Sequence, residues 1–207
     1  MRYYIGFILA VVIFVTGCTH KVVGPSATAV KVRSSYANKI PGNWAIIIDE
    51  GSTVFSRDIQ VSSTECSLHN AAFSSGDSIQ ISLASAVKNI FENSTLRKTN
   101  PTIDDMKMDR LAGYVLISLD HFLPRIECHS GFWSVKCRAE SEIVLGIDIR
   151  GHSGEKLLGT TAGGRGYTEG GTCEDIGKLS GEAYRRALTN SLEEMIEKVS
   201  NSKRLRE

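Results

Sequence analysis

The stretch from Val135 to Arg150, VKCRAESEIVLGIDIR, constrains the fold most strongly, because apolar and charged residues alternate along it. Such alternation is typical of a β-strand with one face on a core and the other in water. A turn over residues 151–155 and a return over residues 156–170 predict an antiparallel partner strand. The apolar side chains predicted to point inward are Val135, Cys137, Ala139, Ile143, Leu145, Ile147 and Ile149.

Two segments have the spacing of amphipathic helices, with apolar residues three and four apart along one face. In residues 75–94 this face consists of Ile79, Leu83, Ala86, Val87, Ile90 and Phe91. In residues 181–202 it consists of Tyr184, Leu188, Leu192, Met195, Ile196 and Val199. Each helix therefore has one face to bury.

Three further segments are predicted strands. Residues 43–49 and 57–66 are predicted to form a hairpin, and residues 95–110 a loop. Residues 114–128 begin as a strand, but the apolar face changes phase near Pro124, which predicts a bulge or an edge position. The element order is then ββαβββα, and the predicted fold is α+β, an antiparallel sheet with two amphipathic helices packed on one face.

The N-terminus has the features of an export signal. Arg2 precedes an apolar run that ends in the sequence VTGC at Cys18. A membrane-spanning helix needs about 20 apolar residues, and this run is shorter. VTGC resembles the lipobox of bacterial lipoproteins, an aliphatic residue, a small residue, Gly or Ala, and Cys. The alternatives are a plain signal peptide or an N-terminal anchor helix.

The lipobox resemblance implies that residues 1–17 are removed and that Cys18 carries lipid on its thiol and on its new amino group. Three acyl chains such as palmitate hold a protein stably on a membrane. By the sorting rule of enteric lipoproteins, Thr19 after the lipidated cysteine implies the outer membrane, on its periplasmic side. Residues 18–42 are predicted to be a flexible tether, 43–200 a single periplasmic domain, and 201–207 a charged tail.

The charge balance argues against nucleic acid as a partner. Removing Arg2 with residues 1–17 leaves 23 basic side chains against 23 acidic ones. Nucleic-acid-binding domains usually carry a basic excess. The expected partners are instead the membrane, through the N-terminal lipid, and an envelope protein.

The cysteines other than Cys18 are Cys66, Cys128, Cys137 and Cys173. An even number in an oxidising compartment predicts two disulfides, for which three connectivities are possible. The local pair Cys128–Cys137 is favoured and leaves Cys66–Cys173. The alternative is a zinc site that includes His69 and His129, but the spacing matches no standard zinc pattern. No metal or other cofactor is predicted.

No catalytic pattern stands out. The glycine-rich residues 163–178 do not match a phosphate-binding loop, and Gly163, Gly164 and Gly166 are better explained by a bulge or by close approach of a helix. Glu140 and Glu142 share a strand face with basic residues, which is typical of a solvated, salt-bridged face. The chain is therefore predicted not to be an enzyme.

Phe132 and Trp133 lie in the loop CHSGFWSVKC between two cysteines. In one interpretation they are exposed at the tip of a rigid loop and contact a partner or the membrane interface. In the other they fold back and cover the core.

The layout as a whole resembles the YajG-type envelope lipoproteins: a lipobox, a short tether, strands around an amphipathic helix, and a C-terminal amphipathic helix with a charged tail. The last of these is AYRRALTNSLEEMIEKVSNSKRLRE. The resemblance implies a fold class and no catalytic residues. The expected function is that of a non-enzymatic periplasmic adaptor or envelope-assembly component anchored in the outer membrane; the alternative is a lipid- or glycan-binding module.

Overall fold

The computed structural model describes residues 18–27, 31, 33–131 and 134–207. The strands are β1 (Cys18–Val23), β2 (Ile40–Ile48), β3 (Ser56–Ser62), β4 (His69–Ser74), β5 (Phe91–Arg97), β6 (Leu111–Ser130), β7 (Val135–Gly151) and β8 (Lys156–Gly170). The α-helices are α1 (Glu50–Thr53), α2 (Ser78–Ile90), α3 (Ile103–Met108) and α4 (Ile176–Ser200), and two 3-10 helices span Cys173–Asp175 and Lys203–Leu205.

The long strand β6 is the axis of a mixed sheet. Along one edge it pairs antiparallel with β7, which pairs antiparallel with β8. Its other edge is shared by two parallel strands, β2 beside its first half and β3 near its end. Beyond β2 lies β5, and beyond β3 lie β4 and then β1.

The α+β class agrees with the predicted one, but the purely antiparallel sheet is wrong. The connection β5–α3–β6 crosses β2, so β5 and β6 run in the same direction, each parallel to β2. The predicted hairpin of residues 43–49 and 57–66 does not form, because β2 and β3 both pair with β6, at different levels.

The alternating pattern of β7 predicts one buried face, and the structure confirms it. Its odd-numbered residues from Cys137 to Gly151 are buried. The ladder between β6 and β7 shifts register between Leu119 and His121, which is the bulge that the phase change predicts. After this bulge the buried residues of β6 are Phe122, Ile126 and Cys128.

The main core lies between the sheet and the helices α2 and α4, and every residue of both predicted apolar helix faces is buried in it. Phe55, Phe73, Phe122 and Tyr184 form an aromatic cluster with ring centroids 4.8–6.0 Å apart. The Tyr184 hydroxyl lies 2.8 Å from Ser78 Oγ, which joins α4 to α2. Burial raises the pKa of Tyr184 above its ordinary value.

The glycines of β8 let α4 approach the sheet closely. A Cβ atom on Gly166 would lie 1.8 Å from the carbonyl oxygen of Ala183, and one on Gly164 would lie 2.1 Å from that of Ala187. Any side chain at these positions would collide with the helix backbone. The glycine-rich stretch therefore serves helix packing, one of the two explanations that the sequence favours.

A second, smaller core lies on the opposite face of the sheet, under α3. It consists of Ala45, Ile47, Met106 and Leu111. The hydroxyl and carboxylate of Thr102 and Asp105 form a capping box at the start of this helix. The predicted loop 95–110 thus contains the end of β5 and a helix.

Both ends of the described chain are folded onto the domain. Part of the predicted tether is β1, and part of the predicted charged tail is a 3-10 helix in which Leu205 is buried. Arg206 donates hydrogen bonds to the carbonyl oxygens of Ser200 and Asn38. Among the described residues, no helix has the length and apolar character needed to cross a membrane.

Candidate interaction groove

The four internal cysteines form the disulfides Cys66–Cys173 and Cys128–Cys137, the connectivity that the sequence favours. Cys128 and Cys137 are cross-strand neighbours in β6 and β7. The two disulfides are adjacent, with Cys66 Sγ 3.9 Å from Cys137 Sγ. Cys128–Cys137 closes the β6–β7 hairpin, Cys66–Cys173 ties the β3–β4 turn to the segment before α4, and both bridges lie at one end of the sheet.

The two histidines of the alternative zinc site contact other side chains. His69 Nδ1 lies 2.8 Å from Nε2 of His20 on β1. His129 is exposed on β6 and lies 4.0 Å from Glu127. With the sulfur atoms joined in disulfides, the cysteines offer no thiolate for a metal ion.

Cys18, the predicted lipid-bearing residue, is exposed at the first position of β1. Phe132 and Trp133, the predicted partner contact, lie outside the described residues. The structure therefore places Cys18 in the sheet beside His69.

The solvent-facing side of β7 and β8 is salt-bridged, in agreement with the interpretation of Glu140 and Glu142. Glu140 pairs with Arg138 and Glu142 pairs with Arg165. The Arg138 guanidinium also lies 4.5 Å from the centre of the Tyr167 ring. An open cavity of about 380 Å³ borders these side chains. Its carboxylates already have cationic partners, so they form a solvated polar surface.

Asp148 belongs to the same polar face. Burial raises its pKa, but hydrogen bonds from Lys156 and Arg150 outweigh this effect, and the pKa of Asp148 lies below its ordinary value. The two cations lie 2.9 Å and 3.0 Å from its oxygens. This carboxylate is therefore held in its charged form.

In contrast to this polar face, the surface between α2 and β5 forms an apolar groove with a volume of about 390 Å³. Ile81 on α2 is 52% exposed and Leu96 on β5 is 58% exposed, although both are large aliphatic residues. Leu96 pairs in the ladder with Ile46, a main-core residue, so it points to the helix side of the sheet. We call this surface the α2–β5 groove; its lining residues are Ile48, Glu50, Gln80, Ile81, Ala84, Leu96, Arg97 and Lys98.

One wall of the groove is an edge strand. Within the described residues, β5 pairs with β2 on one side and with no strand on the other. Its ladder with β2 is regular from Asn93 to Arg97, and its residues from Glu92 to Leu96 are exposed. Natural proteins usually protect such edges with proline, bulges or a covering element, because unpaired N–H and C=O groups accept another strand.

The charges around the groove are unevenly paired. Arg97 forms an ion pair with Asp109. Lys98 and Glu50 form no ion pair within the described part of the chain, and both also line a neighbouring cavity of about 310 Å³ that reaches Ser118 at the end of the β2–β6 ladder. The groove thus combines an apolar floor, an unpaired backbone edge, and one cation and one carboxylate that lack an ion pair among the described residues.

The sequence analysis does not predict this groove. Leu96 lies in a polar context, FENSTLRKTN, and a lone apolar residue there predicts neither a strand nor a surface. Ile81 lies on the side of its helix opposite the predicted apolar face. The sequence signal for the groove consists of two aliphatic residues: Ile81, outside the apolar helix face, and Leu96, in the polar segment that follows.

Comparison with known proteins finds distant likenesses among solved structures. No family model matches the chain, and no curated protein matches it. Ten chains of solved structures match it. A Xanthomonas campestris protein of the family model DUF330 is 10% identical, with a TM-score of 0.49 over 86% of this chain and 92% of that chain.

Two further matches are more distant. A putative neuraminyllactose-binding hemagglutinin homolog from Helicobacter pylori is 13% identical, with a TM-score of 0.37 over 82% of this chain and 94% of that chain. A minor lipoprotein from Acinetobacter baumannii is 9% identical, with a TM-score of 0.36 over 79% of this chain and 93% of that chain. At these scores the likenesses assign no function, and the argument below rests on the groove.

Proposed function

We propose that this protein is a lipid-anchored, non-enzymatic adaptor on the periplasmic side of the outer membrane, and that it binds an extended segment of an envelope protein in the α2–β5 groove. The observation that carries the proposal is the exposed pair Ile81 and Leu96 beside the unpaired edge of β5. The anchor is supported by the lipobox resemblance of VTGC at Cys18.

The choice between an adaptor and a small-molecule module depends on where apolar surface is available. A lipid- or glycan-binding module would enclose its ligand in a pocket of about 300 Å³ or more. Here the space between sheet and helices is filled by the aromatic cluster and the helix stripes. Among the described residues, the α2–β5 groove has an apolar lining, and it is open to solvent. An exposed apolar patch on an edge strand favours a protein partner.

The chemistry of the groove describes the partner segment. An added strand would pair its backbone with β5 between Asn93 and Arg97. Because side chains alternate along a strand, every second residue of the segment would face α2, and at least one of these should be apolar. A carboxylate on the segment would meet Lys98, and a basic group would meet Glu50. The expected partner is therefore an extended, amphipathic segment with a charged residue beside an apolar one.

Photocrosslinking in cells tests this occupant. A benzophenone amino acid in place of Leu96 of the full chain should form one discrete adduct with an envelope protein, and mass mapping should locate the bond in an extended segment of the stated chemistry. Thr161, exposed on β8, is the matched control position and should give no such adduct.

A second variant makes the test specific for strand addition. Thr95→Pro, at an exposed position of the edge strand, should reduce the adduct formed from a crosslinker at Ile81 by tenfold or more, because proline disrupts strand pairing. Adducts that form equally at Leu96 and Thr161, or that contain only lipid, glycan or a second copy of this chain, would overturn the proposed occupant.

The anchor has a separate test. Cys18→Ser should block lipidation and leave unprocessed precursor, because the thiol is the acceptor that the lipobox resemblance implies. Fractionation of the envelope and metabolic labelling with a fatty acid would detect this. A Cys18→Ser chain that matures normally and still fractionates with the outer membrane would show that the lipobox interpretation is wrong.

A further inference from the structure

The predicted lipid-bearing residue is the first residue of a sheet strand. β1 pairs parallel with β4 from Cys18 opposite His69 to Val23 opposite Ser74. Val22 is 4% exposed, so the strand packs on the core as well as on β4. The chain thus has no free residues between Cys18 and the sheet.

Residues that follow β1 are also hydrogen-bonded to the domain. The backbone N–H of Gly24 donates to the carbonyl oxygen of Ser74 over 2.8 Å. The N–H of Ala27, which is buried, donates to Ser82 Oγ over 2.8 Å. An anchor at Cys18 would therefore pull directly on the folded domain, because residues 19–27 are held by these hydrogen bonds and by the β1–β4 ladder.

The ladders give the level of Cys18 along the sheet. Next to its partner His69, Asn70 pairs with Gln60, and the following residue of β3, Val61, pairs with Ile126 of β6. β6 continues past this level to Ser130, and the Gly131 N–H donates to the carbonyl oxygen of Ser134. With a rise of about 3.3 Å per residue, the β6–β7 hairpin extends about 13 Å beyond the level of Cys18.

The same end of the sheet carries the cross-links and an exposed apolar residue. Both disulfides lie there: Cys128–Cys137 closes the base of the hairpin, and Cys66–Cys173 ties the β3–β4 turn to the segment before α4. The two bridges are in contact, with Cys66 Sγ 3.9 Å from Cys137 Sγ. Leu68, in that turn, is 65% exposed and directly precedes His69. We call residues 65–68, 128–131 and 134–137 the anchor end.

The α2–β5 groove lies toward the opposite end of the sheet from the anchor end. Ile48 in the groove pairs with Ile117, which pairs with Ile147, and Ile126 pairs with Ala139. From Ala139 to Ile147 the strand β7 rises about 25–30 Å, and from Ala139 to its end at Gly151 it rises about 40 Å.

From this geometry we infer that the anchored domain stands upright on the bilayer, with the anchor end against the lipid headgroups and the α2–β5 groove about 25–30 Å above the level of Cys18. The inference rests on the proposed lipid anchor and adds the orientation that it imposes. Acyl chains enter the bilayer at Cys18, and the hairpin extends beyond Cys18, so the hairpin reaches the headgroup layer whenever the lipid is inserted. Leu68 contributes apolar contact there.

Contact quenching tests the orientation. The full lipidated chain, with a fluorescent amino acid at either His129 or Ser153, is reconstituted in vesicles of phosphatidylethanolamine and phosphatidylglycerol that carry nitroxide-labelled headgroups. His129 is exposed at the anchor end, and Ser153 is exposed in the β7–β8 turn at the opposite end. We expect quenching several-fold stronger at His129 than at Ser153.

A linker variant is the matched control. An insertion of about 20 Gly and Ser residues after Thr19 adds a tether with an average span of about 25 Å and leaves the rest of β1 unchanged. In this variant the quenching ratio of His129 to Ser153 should fall close to one.

The outcomes separate the orientation from the anchor. Vesicle-bound protein with equal quenching at His129 and Ser153, or a ratio that the linker does not change, would overturn the orientation and leave the anchor intact. Protein that does not float with the vesicles would overturn the anchor, and the orientation with it.

Discussion

The two lateral parts of the sheet differ in how completely they are covered. On the β7–β8 side, α4 lies so close to the sheet that Gly164 and Gly166 have no room for a Cβ atom. On the β2–β5 side, α2 leaves Ile81 and Leu96 more than half exposed beside an unpaired edge. Both helices have a fully buried apolar face, so the difference lies in the strands and in Ile81, an exposed residue of α2 outside that face.

Under the proposed function, this contrast assigns stability to one side of the sheet and partner binding to the other. Contact between backbones on the β8 side gives dense packing that tolerates no added volume. The β5 side keeps its apolar residues at the rim, where they add little to folding but remain available to a partner. The following changes test that division, from the largest expected effect to the smallest.

The largest effect should come from the long-range disulfide. Cys66→Ser with Cys173→Ser opens a link across 107 residues, whereas Cys128→Ser with Cys137→Ser opens one across 9. In the chain-entropy model these losses cost about 5 and about 3 kcal/mol, because the longer loop restricts the unfolded chain more. Urea unfolding of the two double variants measures the difference, and equal or reversed losses would contradict it.

The next effect should come from Gly166→Ala. The new methyl group would collide with the carbonyl oxygen of Ala183, so α4 must shift, at a cost of about 1–3 kcal/mol. Gly163→Ala is the control on the same strand, because its Cβ would meet nothing closer than Glu194 at 3.8 Å. Thermal unfolding should separate the two variants, and similar melting temperatures would show that the helix does not pack as described.

The parts of the fold that could be predicted from sequence are those with a local period. The alternation in β7, the phase change before Pro124 and both helix stripes all correspond to buried faces. The mixed sheet could not be predicted in this way, because the sharing of one edge of β6 by β2 and β3 depends on contacts between distant residues. Local patterns specify which face is buried and leave the neighbour of each strand open.

The candidate site was harder to predict for the same reason. Cys18 is recognisable from VTGC, a contiguous motif. The groove depends on Ile81 and Leu96, which lie on different elements and become neighbours only when β5 takes its position beside β2. β5 itself has a polar sequence, because an edge strand exposes most of its residues.

A smaller effect is expected at the polar face. Because hydrogen bonds hold the pKa of Asp148 below its ordinary value of 3.8, the carboxylate stabilises the fold above that pH and loses its contribution as the pH falls through the folded-state pKa. Asp148→Asn should therefore lower the free energy of unfolding by less than about 1 kcal/mol near neutral pH. The deficit should shrink below about pH 4.

Asp58 provides the control for this pH dependence. It is exposed on β3 and has no ion pair within the described residues, so Asp58→Asn should change little at either pH. Urea unfolding at neutral and acid pH measures both variants. An Asp148→Asn deficit that persists unchanged into acid would mean that the lost stability does not come from the charge.

The smallest effect on stability should come from the groove itself. Leu96→Ala removes an aliphatic side chain that is 58% exposed, so the free energy of unfolding should change by no more than about 0.5 kcal/mol. Leu83→Ala on α2 removes the same side chain from a fully buried position and should cost about 2–5 kcal/mol. If Leu96→Ala proves as costly as Leu83→Ala, Leu96 belongs to the core and the groove is not an open surface. If it is silent in unfolding but reduces the adduct formed by a crosslinker at Ile81, the rim residue acts in binding, and the division between the two sides of the sheet holds at the level of single side chains.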